Sequence, residues 1–262
     1  MKELTTRAIS GILYVALLTI TMFNSPLAFY CLIAIFAGLA LWEFQQLIKF
    51  ENIIAPLLLA GLFTLAYLAL IPSFIFDLLL YPVLLINTVI TLLCLKNKKA
   101  HFSWVSKGGL TLFYLIGSSV FIPLLLAESE NGAPYYLLFF YLSIWVNNSF
   151  AYLIGSRLGK TKLLPTISPK KSWEGYAGGA VATLLLLYLV ENNFSLYGSY
   201  WWSIALLLPA LATLGDFVQS YFKRRANVKD SGTLLPGHGG FYDRMDSVIY
   251  AAPFYYLLIK II

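Results

Sequence analysis

Residues 220–246 read SYFKRRANVKDSGTLLPGHGGFYDRMD, from Ser220 to Asp246. The stretch holds Lys223, Arg224, Arg225, Lys229, Asp230, Asp243, Arg244 and Asp246, with His238 among them. Apolar runs flank it on both sides, at roughly 201–222 and 246–262. Charge beside a hydrocarbon core is costly, so a dense charged segment in such surroundings marks a functional site. Glycines at 232, 237, 239 and 240 let the backbone approach a ligand closely. Together these features describe a site for an anionic ligand, phosphate above all, with carboxylates at hand for a metal.

The rest of the chain has the same apolar character. Of 262 residues, 60% are hydrophobic and only 11% are charged, with a mean hydropathy of +0.78. Soluble domains carry about 25% charged residues, so the chain is an integral membrane protein. Seven further apolar segments run at roughly 8–23, 27–48, 53–71, 74–95, 108–127, 135–156 and 176–190. The expected fold is all-α: a polytopic membrane protein of about nine transmembrane helices, with 1–262 as a single membrane domain. About 20 residues cross the hydrocarbon, so the seventh and ninth segments are expected to extend by a residue or two at each end. Only Pro72 and Ser73 separate the third segment from the fourth, which predicts a tight helical hairpin. The basic start MKELTTR resembles a signal peptide, but no small-residue cleavage site precedes Phe23–Pro26, so an uncleaved first span is expected. Cys31 and Cys94 lie in apolar runs and form neither a disulfide framework nor a zinc site.

The net charge of +6 does not point to nucleic acid, because the basic residues are spread over loops between spans. With the N-terminus in the cytoplasm and nine alternating spans, seventeen of the eighteen Lys and Arg residues fall on the cytoplasmic side. Only Lys260 falls outside, while Asp77, Glu128, Glu130 and Glu191 lie on the outer side. This is the positive-inside pattern, and it predicts a site on the cytoplasmic face of a cell's inner membrane. Tyr135, Tyr136, Tyr200, Trp201, Trp202, Tyr255 and Tyr256 cluster near span ends and read as an interfacial belt.

Three polar elements fall on that face. They are Asn147-Asn148-Ser149 with Tyr152, the loop from Arg157 to Gly175, and Gly215-Asp216 with the segment that follows. Asp216 and Ser220, four apart, share a helix face. Asp243 and Asp246, three apart, share one if a helix begins there. Three carboxylates at Asp216, Asp243 and Asp246 suit a hard divalent cation such as magnesium, which also bridges phosphates. Nearby Lys and Arg side chains suit the phosphates themselves. A second use for Asp243 and Asp246 is to cap a helix start and pair with Arg244 or loop lysines, which would account for one of the three. His238, between glycines, is either a structural residue or a phosphate ligand. No Walker A loop and no nucleophile elbow is present.

Ser220, Phe222, Lys223-Arg224, Lys229-Asp230, Gly232, Leu235-Pro236, His238-Gly239-Gly240, Asp243-Arg244 and Asp246 resemble the signature of the phosphatidate cytidylyltransferases, or CDP-diacylglycerol synthases. Ile167-Ser168-Pro169-Lys170-Lys171-Ser172 with Glu174-Gly175 is similar to that family's second loop. The resemblance is dense over 145–253, a catalytic half, whereas 1–130 matches only as generic apolar spans. It implies transfer of a cytidylyl group from CTP to phosphatidate, giving CDP-diacylglycerol and pyrophosphate for phospholipid synthesis among membrane lipids. It implies Mg2+ held by Asp216, Asp243 and Asp246, with room for a second cation, and Lys223 as a further catalytic residue. Substrate contacts are implied for Ser168, Lys170, Lys171, Ser220, Arg224, Lys229, His238 and Arg244. A homodimer is left open.

Two positions depart from the family pattern. Asn148 stands where a D-x-G-A-Y pattern has its acid, and Gln219 where G-D-x-x-E-S has its glutamate. Each amide keeps an acceptor oxygen and loses a negative charge, which predicts activity with a raised magnesium requirement. The alternatives are a paralogue that is degenerate or acts on another lipid phosphate, and a non-enzymatic lipid-binding or transport protein.

Overall fold

The computed structural model describes residues 2–97, 101–126, 133–234 and 239–261. They form nine helical rods and one small hairpin: α1 (Lys2–Asn24), α2 (Pro26–Ile48), α3 (Ile54–Tyr67), α4 (Ser73–Leu95), α5 (Trp104–Leu124), α6 (Ala133–Leu158), β1 (Lys162–Leu164), β2 (Ser168–Ser172), α7 (Trp173–Phe194), α8 (Trp201–Arg225) and α9 (Tyr242–Ile261). Within α5 the stretch Leu110–Gly117 is π-helical. By length and composition six of the rods can cross a membrane: α2, α4, α5, α6, α7 and α8. Shorter apolar helices cover Ser10–Asn24 and Ile54–Tyr67. The 20 residues of α9 include Asp243, Arg244, Asp246 and Lys260, and α9 stands outside the six.

Local chemistry sets several boundaries. Ser25 caps α2 by accepting from the Ala28 N–H at 3.2 Å, with Pro26 at the first helical position. Lys49 ends that helix at φ 52°, its N–H turned back to the carbonyls of Gln45 and Gln46. Ser172 caps α7 by accepting from the Gly175 N–H at 3.2 Å. This cap starts α7 at Trp173, three residues before its apolar run.

Two expectations are corrected. α3 and α4 do not form a tight hairpin. The chain turns at Ala69 (φ 49°), after which α3 packs on α2 and α5 while α4 packs on α5, α8 and α9. Tyr255 and Tyr256 do not join an interfacial belt, because both are buried. The Tyr255 hydroxyl pairs with that of Tyr197 at 2.9 Å and donates to the Tyr136 carbonyl at 3.0 Å.

α9 is the hub of the bundle. It packs against α8, α5, α2 and α4, and residues Met245–Pro253 are all buried. Polar pairs stitch it in place, as expected where lipid supplies no hydrophobic drive between helices. Thr91 meets Tyr250 and Tyr114 meets Tyr242, each at 2.6 Å between hydroxyls, and Ser247 donates to the Ala212 carbonyl at 3.0 Å. Phe44 of α2 lies edge-on to Phe222 and Tyr242, with ring centres 5.1 and 5.6 Å away.

α6 and α7 make the closest helix pair. A Cβ on Gly175 would lie 2.7 Å from the Ala151 carbonyl oxygen and 3.0 Å from the Gly155 Cα. A Cβ on Gly179 would lie 2.5 Å from Asn147 Oδ1. Small residues thus let these two backbones touch. The hairpin between them pairs Lys162 with Ser172 and Leu164 with Ser168, antiparallel.

Candidate active site

The end of α8, the start of α9, the hairpin, the start of α7 and the C-terminal half of α6 enclose a cleft of about 770 Å3. Its lining includes Asn148, Ser168, Lys170, Lys171, Asp216, Gln219, Lys223, Asp243, Arg244 and Asp246. A second cavity of about 400 Å3 adjoins it between α1, α6 and α9. The two share Asn148, Asp243, Arg244 and Asp246, and the second is walled by Tyr14, Val15, Ile144 and Trp145. A polar cleft therefore opens into an aromatic and aliphatic one across a few charged side chains.

Two ion pairs face the cleft. Lys171, on β2, reaches Asp216 on α8 at 2.7 Å. Its ammonium also lies 4.9 Å from the centre of the Phe217 ring. Ser220 donates to the other Asp216 oxygen at 3.2 Å, so the four-residue spacing puts these two on one face. Lys223 reaches Asp243 at 2.7 Å, and both side chains are largely buried.

Asp243 is the most heavily engaged acid. Its Oδ1 accepts from Lys223 Nζ and Gln219 Nε2, both at 2.7 Å. Its Oδ2 accepts from the Ser231 N–H at 2.9 Å, and from the Ser231 hydroxyl and the Gly240 N–H at 3.0 Å. Asp246 accepts from the Ser247 N–H at 2.6 Å and is almost fully buried at the junction of the two cavities.

These contacts bear on a divalent cation. Among the described residues no three His, Cys, Asp or Glu side chains come together to hold a metal. In this structure Asp243 takes donors from Lys223, Gln219, Ser231 and Gly240, against Lys171 and Ser220 on Asp216 and the Ser247 N–H on Asp246, so of the three it has the least acceptor capacity left for a cation. Asp216 and Asp246 fit magnesium better. They line one cleft, and magnesium commonly takes one or two carboxylates plus substrate phosphates.

The other expected residues divide into three groups. Ser168, Lys170 and Arg244 line the cleft. Arg224 and Lys229 do not. The Arg224 guanidinium donates to the Ile167 and Val228 carbonyls at 3.3 and 3.0 Å, tying the hairpin to the loop after α8. Lys229 is exposed on that loop. His238 lies outside the described residues. The two amides also differ from each other. Asn148 is exposed in the cleft, whereas Gln219 is buried and its amide N–H is spent on Asp243.

The sequence reading missed Glu43. It is the one charged side chain in α2 and is fully buried, and it accepts three hydrogen bonds from the segment around 231–242. A lone acid in a membrane span is itself a functional signal. It was hidden by standing in the half of the chain that otherwise reads as generic spans.

Residues 5–262 match the cytidylyltransferase family. The phosphatidate cytidylyltransferase of Bacillus subtilis is 32% identical over 274 aligned positions, covering 100% of this chain and 99% of its own length. That of Rickettsia bellii is 36% identical over 211 positions, 74% of this chain and 88% of the relative. That of Staphylococcus aureus is 40% identical over 136 positions, 50% of this chain and 52% of the relative.

Proposed function

The chain belongs to the cytidylyltransferase family, and from that premise we propose that it transfers the cytidylyl group of CTP to phosphatidate, giving CDP-diacylglycerol and pyrophosphate. The observation that carries this reading is the pair of adjoining cavities. One is lined by lysines and carboxylates and suits a nucleoside triphosphate. The other is walled by Tyr14, Val15, Ile144 and Trp145 and suits the body of a lipid.

In this reaction a phosphate oxygen of the lipid attacks the α-phosphorus of CTP. A new P–O bond forms as the bond to the β-phosphate's bridging oxygen breaks, and that electron pair leaves with pyrophosphate. Little covalent chemistry is asked of the protein; positioning and charge neutralisation supply most of the rate. Lys170, Lys171 and Lys223 face the triphosphate from the hairpin and from α8. Arg244 stands where the two cavities meet, in reach of both substrates' phosphates. Asp243 keeps Lys223 directed into the cleft, and Ser220 orients Asp216. Magnesium would be held by Asp216 and Asp246, and would supply charge neutralisation to the reacting phosphates.

The proposal extends to nine spans with the N-terminus and the cleft on the cytoplasmic side of the inner membrane. Residues assigned to one side meet in the structure. Lys107 Nζ donates to the Lys49 carbonyl at 3.1 Å on the inner side, and Lys260 pairs with Asp77 on the outer. That pairing neutralises the single outer Lys.

The test is pyrophosphate release by purified protein given CTP, Mg2+ and a panel of lipid phosphates. Release with phosphatidate is expected. Release only with a different lipid phosphate would move the substrate assignment, and none with any of them would overturn the enzyme reading.

A further inference from the structure

We propose that Glu43 is a positioning residue for the active-site loop, and that it sets where glycine is required in the 220–246 signature. The proposal rests on the cytidylyltransferase reading for its link to turnover, and on geometry alone for its link to the loop. Glu43 Oε2 accepts from the Ser231 hydroxyl at 2.7 Å and the Tyr242 N–H at 3.0 Å, and Oε1 accepts from the Phe241 N–H at 3.0 Å. The two amides belong to the start of α9, where first-turn N–H groups lack partners within the helix. Glu43 thus caps α9 from another helix, almost 200 residues away in sequence (|i−j| 198 and 199).

The same carboxylate dictates side-chain size. A Cβ on Gly232 would sit 2.5 Å from Glu43 Oε1, and one on Gly240 would sit 2.1 Å from Oε2. Neither glycine has a positive φ, whereas Gly239 does at 84°. Room for the Glu43 carboxylate, joined at 240 by the Ser231 hydroxyl at 2.2 Å, and not backbone conformation, therefore excludes a side chain at 232 and 240.

Glu43 connects to the chemistry through Ser231. That hydroxyl carries one hydrogen and lies within hydrogen-bond distance of two acids, Glu43 at 2.7 Å and Asp243 at 3.0 Å. Asp243 in turn holds Lys223. Loss of the Glu43 contacts frees the segment on which Asp243 depends and lets Lys223 drift, while the apolar wall of the second cavity, Tyr14, Val15, Ile144 and Trp145, stands on α1 and α6.

The full-length protein in nanodiscs carries the test, with Glu43→Gln and Glu43→Ala. Glutamine fills the same space, so a purely space-filling role predicts wild-type kcat. Loss of an acceptor predicts a kcat at least about tenfold lower, since a misplacement of about 1 Å can cost a hundredfold. KM for phosphatidate is expected to change less than kcat, because the apolar wall of the lipid cavity stands on α1 and α6. Independently of turnover, trypsin is expected to cut after Lys229 at least about fivefold faster in both variants, as the loop opens locally. Wild-type kcat and wild-type cleavage in Glu43→Gln overturn the proposal. If wild type itself shows no turnover, the functional reading falls and the cleavage rates alone decide the role of Glu43; if Glu43→Ala fails to fold, the isosteric variant decides it.

Discussion

Gln219 donates its amide N–H to Asp243 Oδ1 at 2.7 Å, on the same oxygen that receives Lys223 Nζ at 2.7 Å. A glutamate at 219 could not donate there and would set a second negative charge against Asp243 in a buried setting. Gln219→Glu is therefore expected to lower kcat at least about tenfold, since like charges at such range are strongly repulsive in low dielectric. An equal or higher kcat at saturating magnesium would show that the acid is accommodated by a bound cation.

Asn148 behaves differently, because it is exposed and lines both cavities together with Asp246. Asn148→Asp is expected to lower the magnesium concentration for half-maximal rate, severalfold or more, by adding charge near the ion. A magnesium curve superimposable on wild type would place residue 148 outside the ion's reach.

Asp243 and Asp246 should fail in distinguishable ways. Asp246→Asn is expected to reduce turnover about a hundredfold and to recover in part at high magnesium, as for a weakened ligand. Asp243→Asn is expected to lose a similar amount with no recovery, because it releases Lys223 and the loop instead of an ion. Recovery of Asp243→Asn by magnesium would return Asp243 to the metal's ligands.

Sidedness can be read by labelling with an impermeant thiol reagent. Ser103→Cys and Thr161→Cys are expected to react from the cytoplasmic face only, and Ser199→Cys from the outer face only, each on a background with Cys31 and Cys94 replaced. Reaction of positions 103 and 199 from the same side would break the nine-span count.

Close contact of α6 with α7 predicts a stability effect that comes from packing and not from charge. Gly175→Ala places a methyl 2.7 Å from a backbone oxygen that cannot swing away. A loss of about 1–3 kcal/mol is expected for such overpacking, read as a lowered midpoint of thermal unfolding in nanodiscs. An unchanged midpoint would mean that the helices part freely.

How much could be read from the sequence varied with how local the cause was. The apolar runs located every helix, since run length and hydrophobicity are properties of neighbouring residues. Lys171, Asp216, Lys223 and Asp243 were identifiable by residue type, but their pairing was not. That depends on the hairpin swinging Lys171 over α8, and strands of three and five residues leave almost no periodic trace. The partners that fill Asp243's oxygens, Ser231 and Gly240, were not legible because they lie on a loop whose path only the tertiary fold defines. The α3–α4 hairpin failed for a related reason: a short connection brings two helices near each other without deciding which neighbours they prefer.

Phe44 and Glu43, adjacent on α2, both face the segment that leads into Asp243 and Arg244, one through rings and the other through oxygens. Residues 133–262 hold nearly every recognisable motif, yet expressed as a separate polypeptide they would have nothing to press that segment into shape. The molecule cannot be dissected into a scaffold and a portable reactive module. Any minimised or chimeric version must carry α2 along with the motifs, matched to the glycines it faces.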